Sequence, residues 1–274
     1  MKVQTIALDY PVNPQPRYGH GKPPHEGLYR ILAAHRERYA RRLRSFRELK
    51  DDLVRIPAEA DEADALSPHW INGYLPGMDA ASLYGFLALG DPRRYLEIGS
   101  GNSTRFARRA ITDHRLQTEI TSIDPQPRAE CDQICDRVIR QSLEDVDLTL
   151  FDELGPGDIL FVDHSHRVFT NSDTVVTFLE VLPRLQPGVL VQFHDIWLPY
   201  DYPSAWNDRF YAEQYMLACW LLAGTTTFKI VLANSFCSLE KDLVSILGPV
   251  WAAPQFLNVS RGGGSFWIET QASD

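Results

Sequence analysis

No stretch of this 274-residue chain approaches the roughly 20 consecutive apolar residues that span a bilayer, and its opening, MKVQTIALDYPVNPQP, lacks a secretory hydrophobic region. A membrane span is therefore not expected, and the expected location is cytoplasmic. Basic residues are outnumbered, 27 Lys and Arg against 36 Asp and Glu for a net charge of -9. That balance argues against a nucleic-acid partner, because phosphate binding is driven by basic surface. The 4 cysteines are too few for a disulfide framework in a chain this long. Cys131 and Cys135 stand one helical turn apart without a second pair to complete a zinc site, and read as free thiols on a helix. There is no internal repeat or low-complexity tract. What remains, 44% hydrophobic and 23% charged residues, is the composition of an ordinary globular protein. The length fits one large α/β domain with an appendage.

Residues 1–65 are expected to form that appendage. The first 25 are rich in Pro, Gly and His and read as an extended arm. From Glu26 to Arg55, Leu28, Ile31, Leu32, Tyr39, Leu43, Phe46, Leu49 and Leu53 recur near three- or four-residue spacing, an amphipathic helix with an arginine-rich outer face. Its apolar stripe suits the main domain or a second subunit, so a homodimer is compatible with it. From residue 66 to 274, strand and helix signals alternate as in a doubly wound, mostly parallel sheet with helices on both faces. Strands are predicted at 94–98, 119–124, 137–141, 158–163, 188–194, 227–233 and 265–270, and helices at 79–89, 103–111, 127–135, 171–184 and 208–223. The last strand is expected to be antiparallel at the reversed edge of the sheet, with the Gly262-Gly263-Gly264 run before it as a hairpin-type turn.

The most informative segment is Tyr95-Leu96-Glu97-Ile98-Gly99-Ser100-Gly101-Asn102-Ser103-Thr104. An apolar strand carries an acid near its end and turns through two glycines into a helix, whose first amides then face a nucleotide-type ligand. A dinucleotide fingerprint would place a third glycine at Thr104, and Glu97 would repel a pyrophosphate while suiting a ligand with an ammonium and a sulfonium. The segment therefore points to S-adenosylmethionine. Asp124, ending the next predicted strand 23 positions beyond Gly101, is placed to accept the hydroxyls of a ribose.

Asp163 and the pair His194-Asp195 end the fourth and fifth predicted strands, where the ligand crevice of an open α/β sheet lies. With His164 and His166 they supply groups able to remove a proton from an acceptor. The following segment, 196–207, is too aromatic for a plain solvent loop; Trp197, Tyr200, Tyr202 and Trp206 are expected to wall the acceptor as a lid.

With these residues in view, the chain resembles the class I S-adenosylmethionine-dependent methyltransferases over about residues 70–270. The resemblance implies a Rossmann-like seven-stranded fold. It places Glu97, Gly99, Ser100, Gly101 and Ser103 around the methionine end of the donor, Asp124 on its ribose, and Gln141, Ser142 and Leu143 near adenine. Within the class, Asp163 through His166 and Phe193-His194-Asp195 are similar to the metal-dependent O-methyltransferases of the catechol type and of antibiotic sugar pathways. That similarity implies Asp163, which also borders the donor site, His194 and Asp195 as ligands of a divalent cation such as Mg or Mn. His194 departs from the family's acid or amide there, and imidazole favours a softer metal or none. It further implies His166 where the catechol type has its catalytic lysine, with His164 and His194 as the other candidate bases. The expected activity is O-methylation of a hydroxyl on a small molecule or glycan precursor. Competing expectations are a metal-independent N- or O-methyltransferase using histidine alone, a cephalosporin-hydroxylase-like relative doing oxidative chemistry, and a scaffold with a vestigial crevice.

Overall fold

The computed structural model describes residues 5–127 and 130–272. Its centre is a run of strands most of whose residues are apolar. These are β1 (Arg94–Ile98), β2 (Glu119–Ile123), β3 (Arg137–Ile139), β4 (Ile159–Val162), β5 (Leu190–Phe193), β6 (Phe228–Ala233) and β7 (Phe266–Thr270). They form one sheet in the order β3-β2-β1-β4-β5-β7-β6. β1 to β5 pair in parallel, and β7 runs antiparallel between β5 and β6, giving the sheet its reversed edge pair. All of β4 is buried, as expected of a strand covered on both faces. Every predicted strand is present, with its ends within two residues of expectation.

The helices depart further. α4 (Gly77–Gly90) and α5 (Asn102–His114) lie where predicted. The helix predicted at 127–135 is replaced, among the described residues, by a single 3-10 turn at Asp132–Ile134. Pro125 and Pro127 take backbone donors out of the segment before it. The region 171–184 begins as α6 (Asp173–Val176), widens into a π turn and closes as a 3-10 turn, and α7 starts only at Glu213 and ends at Leu222. The glycine run forms no hairpin. It docks on the start of α4, where Gly77 and Met78 donate their amides to the carbonyls of Ser260 and Gly262, and Asp79 accepts from the amides of Gly264 and Ser265. A Cβ on Gly263 would come within 2.4 Å of Asp79 Oδ1, so the close approach needs glycine.

The N-terminal amphipathic segment is three helices, α1 (Glu26–Ala33), α2 (Arg36–Arg47) and α3 (Lys50–Val54). Their buried Leu28, Leu32, Tyr39, Leu43, Phe46 and Leu53 join the same apolar cluster as the sheet. The basic face is partly consumed by the fold, since Arg36 pairs with Glu240 at 2.6 Å and Asp242 at 2.7 Å and Arg42 sits 5.2 Å over the ring of Phe86.

Candidate active site

The carboxyl ends of β1, β2, β4 and β5 are locked in step by backbone bonds continuing the ladders. Gly99 N donates to Ile123 O, Asp163 N to Ile98 O, and His194 N to Val162 O. Gly99 turns with φ +85°, and a Cβ there would lie 1.9 Å from the carbonyl oxygen of Asp163. Only glycine therefore lets the β1 tip sit against the β4 tip, which brings the first turn beside Asp163. Across from it, Asp124 Oδ2 accepts from the amide of Ser100 at 2.9 Å and its hydroxyl at 3.2 Å, while Oδ1 accepts from the amide of Gln126 at 2.8 Å.

Beyond the β4 and β5 tips the side chains form one acid and imidazole cluster. His166 Nε2 lies 3.0 Å from Asp163 Oδ1 and 3.7 Å from Asp195 Oδ2, and its Nδ1 is 2.7 Å from Glu213 Oε2. His194 Nδ1 lies 3.6 Å from both Asp163 and Asp195, with Nε2 3.4 Å from Asp79. His164 Nε2 is 3.6 Å from Glu213 Oε1. Burial opposes charging His166, yet Asp163 and Glu213 hold its pKa well above the usual range. Burial likewise opposes charge on His194, and Asp195 and Asp163 outweigh it to the same effect. Asp163 is 41% exposed at its side chain; its partial desolvation is overcome by the two imidazoliums, which hold the carboxyl well below the ordinary value. Desolvation raises the carboxyl of Asp195, with the imidazoliums offsetting only part of it.

These groups open into a cavity of about 720 Å³ running from Gly99, Ser100, Asp124 and Leu143 to Asp163, His166 and Asp195. A smaller space of about 270 Å³, lined by His69, Gly101, Ser103 and Arg105, shares Tyr74, Ser100, Asp163 and His194 with it. The outer wall is the loop after β5, which carries Trp206, Arg209 and Tyr211. The N-terminal arm straps that loop. Asp201 accepts from the amides of Arg17 and Tyr18 and from the Tyr215 hydroxyl, and Asn207 donates to the carbonyl of Pro14.

Residues 96–196, from inside β1 through the first residue after Asp195, match a family described as a methyltransferase domain. The match covers less than half of the chain. It contains the glycine turn, Asp124 and the Asp163, His166, His194 and Asp195 cluster, whereas Glu213 and the aromatic wall lie outside it. No curated protein matches the chain. Among solved structures, the chain is similar to an O-methyltransferase from Bacillus cereus in complex with SAH, at 13% identity over 91% of this chain and 92% of that one, TM-score 0.42. It is also similar to the O-methyltransferase TomG of Streptomyces achromogenes in complex with SAM, at 17% identity over 90% of each chain, TM-score 0.39. A third is the SAH-bound methyltransferase PaMTH1 of Podospora anserina, at 16% identity over 93% of this chain and 100% of that one, TM-score 0.44.

Within and around the matched segment, the residues singled out from sequence divide cleanly. Gly99, Ser100, Asp124, Ser142 and Leu143 line the large cavity, and Gly101 and Ser103 the smaller one. Asp163, His164, His166, His194 and Asp195 all converge on the large one. Glu97 does not reach either. It is fully buried beneath the turn, accepting from the hydroxyls of Tyr95, Ser103 and Thr104, and desolvation pushes its carboxyl up to about 8. Burial favours its protonated form, and its three hydroxyl partners hold it beneath the turn. Gln141 is exposed and lies off the cavity. Of the four lid aromatics, Trp206 lines the cavity. Tyr202 is buried behind it, accepting from the Gln214 amide at 3.2 Å, and Trp197 packs edge-on to Trp206 at 5.6 Å. Tyr200 packs against Gly19 of the arm, where a Cβ would come within 2.7 Å of its ring.

Glu213, Asp79, Tyr211 and Arg209 were not singled out from sequence. Two carried a signal: Glu213 opens the otherwise apolar helix EQYMLACWLL, and Asp79 is the one acid in GMDAASLYGFLALG. An ionisable group on an apolar helix needs a buried partner, and both find histidines.

Proposed function

We propose that this protein transfers a methyl group from S-adenosylmethionine to a hydroxyl of a small molecule or glycan precursor. The observation that carries the reading is the single cavity joining the Gly99 turn and Asp124 to the Asp163, His166 and Asp195 cluster. A donor lying along the first half would present its sulfonium methyl to an acceptor in the second. A carboxylate offers about four lone-pair sites, and Asp124 already uses three on Ser100 and Gln126. Holding both ribose hydroxyls thus requires the Ser100 hydroxyl, its longest contact, to give way. Ser142 and Leu143 then flank the adenine, and the amides opening α5, with Ser103, serve the methionine end.

Methyl transfer is an in-line displacement in which the acceptor oxygen bonds to the methyl carbon as the carbon–sulfur bond breaks, leaving a thioether. The protein positions the two reactants and takes up the hydroxyl proton. His166 is the group best placed to take it. Glu213 fixes the ring through Nδ1 and leaves Nε2 toward the cavity, ready once it has given up its own proton.

The cluster also fits a divalent cation. Asp163, His166 and Asp195 each offer a ligand atom within 4.8 Å of the others, and His194 Nδ1 is buried without a hydrogen-bond partner beside both aspartates. Mixed imidazole and carboxylate donors suit manganese, iron or zinc better than magnesium. A cation held there supplies Lewis-acid polarisation of the acceptor hydroxyl. Were His194 to take the place of His166 beside Asp163 and Asp195 as a ligand, the His166 ring would stay available to carry the proton.

Heat stabilisation by S-adenosylhomocysteine tests the donor site. The wild type should melt higher in its presence, and Asp124→Ala should lose most of that shift. An unshifted wild type contradicts the reading.

A further inference from the structure

The cavity wall carries acids on nearly every side, and each is already engaged. Asp124 is bonded to Ser100 and Gln126, Asp173 to Ser165, and Glu144 to the amide of Asp173, while Asp163 and Asp195 face the histidines. Arg209 is the one lysine or arginine on this wall among the described residues. It lines the same cavity and, among the described residues, has no carboxylate partner. Its guanidinium stands 4.2 Å over the ring of Trp206 and 5.6 Å from that of Tyr211. Arg167 lies 5.4 Å over the same tyrosine, but its Nε and Nη1 donate to the carbonyls of Arg209 and Ser165. Arg209 is thus held in place by flat aromatic surface, with its fork of donors uncommitted.

We propose that the acceptor carries an oxyanion, a phosphate or carboxylate, and that Arg209 receives it. The proposal rests on the methyltransferase reading and names the substrate class of that site. A planar guanidinium offers paired N–H donors that match two oxygens of such a group, and a neutral acceptor would leave them to water. Tyr211 sets the scale of the molecule. Its ring centroid is 4.7 Å from that of His166 and 5.6 Å from the Arg209 guanidinium. A hydroxyl at His166 and an anion at Arg209 can therefore belong to one small molecule, such as a sugar phosphate or a phenolic acid.

The test is isothermal titration with three probes that share a ring, phenyl phosphate, benzoate and benzyl alcohol, with and without saturating S-adenosylhomocysteine. At least one anion should bind about 10- to 100-fold more tightly than benzyl alcohol, and Arg209→Gln should erase that preference while binding S-adenosylhomocysteine as before. Whichever anion binds better identifies phosphate or carboxylate as the recognised group. Equal binding of all three, no binding of either anion, or an anion preference that survives in Arg209→Gln overturns the proposal. A failure of S-adenosylhomocysteine itself to bind falls on the methyltransferase reading instead, and the probe titrations without it still report on Arg209.

Discussion

Nδ1 of His166 lies 2.7 Å from Oε2 of Glu213, a carboxylate with no exposed side-chain surface that enters from a helix beyond the matched domain. With Asp163 on its other nitrogen, the imidazole is a charged bridge between two acids. Its folded-state pKa is well above the free value of about 6.5. The stability this bridge contributes is thus fully present below that value and is lost as pH rises through the folded pKa. Turnover that needs neutral His166 should rise on the alkaline side of neutrality. Glu213→Gln keeps the shape, removes the charge, and should move that rising limb to lower pH while cutting its plateau by about 10-fold or more. A pH–rate profile that keeps its limb in the variant removes His166 as the base.

Glu97 has a linkage of the same sign in a more acidic window. Burial raises its carboxyl to about 8, so the folded state holds a proton that the unfolded chain releases near 4.5. Stability should therefore decline as pH rises from about 4.5 to 8 and level off above. Glu97→Gln mimics the protonated form and should flatten that part of the curve in urea titrations at several pH values. If the variant declines as steeply as wild type, the carboxyl is not the cause.

Gly99→Ala should be among the most damaging small substitutions in the chain. The added Cβ meets the Asp163 carbonyl at 1.9 Å, and φ is +85°. Strain and overpacking together should cost about 3 kcal/mol or more, seen as a lowered urea midpoint. By contrast, Gly101→Ala meets nothing within 4 Å, so its cost should be confined to backbone conformation and be clearly smaller.

A cation in the cluster makes a separate claim. Manganese should raise the melting temperature of wild type, and Asp195→Asn should reduce the metal's apparent affinity by about 10-fold or more. Turnover that survives thorough chelation, with no thermal response to manganese, would leave histidine alone to do the chemistry.

Much of this was legible in the sequence, for reasons particular residues make plain. The strands were readable because fully covered segments such as Ile159–Val162 have nowhere to hide a polar side chain. The strand tips followed, and with them Asp124, Asp163, His166, His194 and Asp195. Long-range partners were not readable. Glu213 meets His166 across 47 positions and Asp79 meets His194 across 115, and only the packing of α7 and α4 onto the sheet brings them together. Glu97 shows the reverse failure: the motif located it correctly, but only the buried hydroxyls of Tyr95, Ser103 and Thr104 reveal that it supports the turn from beneath. The aromatic loop was recognised as a wall, yet which ring faces inward follows long-range packing, with Tyr200 against Gly19 of the arm and Tyr202 bonded to the Gln214 amide.

A crystal structure with S-adenosylhomocysteine tests the account most directly. The account expects ribose hydroxyls on Asp124 with the Ser100 hydroxyl displaced, adenine against Leu143, and the sulfur directed toward the cavity in front of Asp163 and His166. A ligand bound elsewhere, or a turn at Gly99–Gly101 that stays empty at saturating concentration, would contradict it.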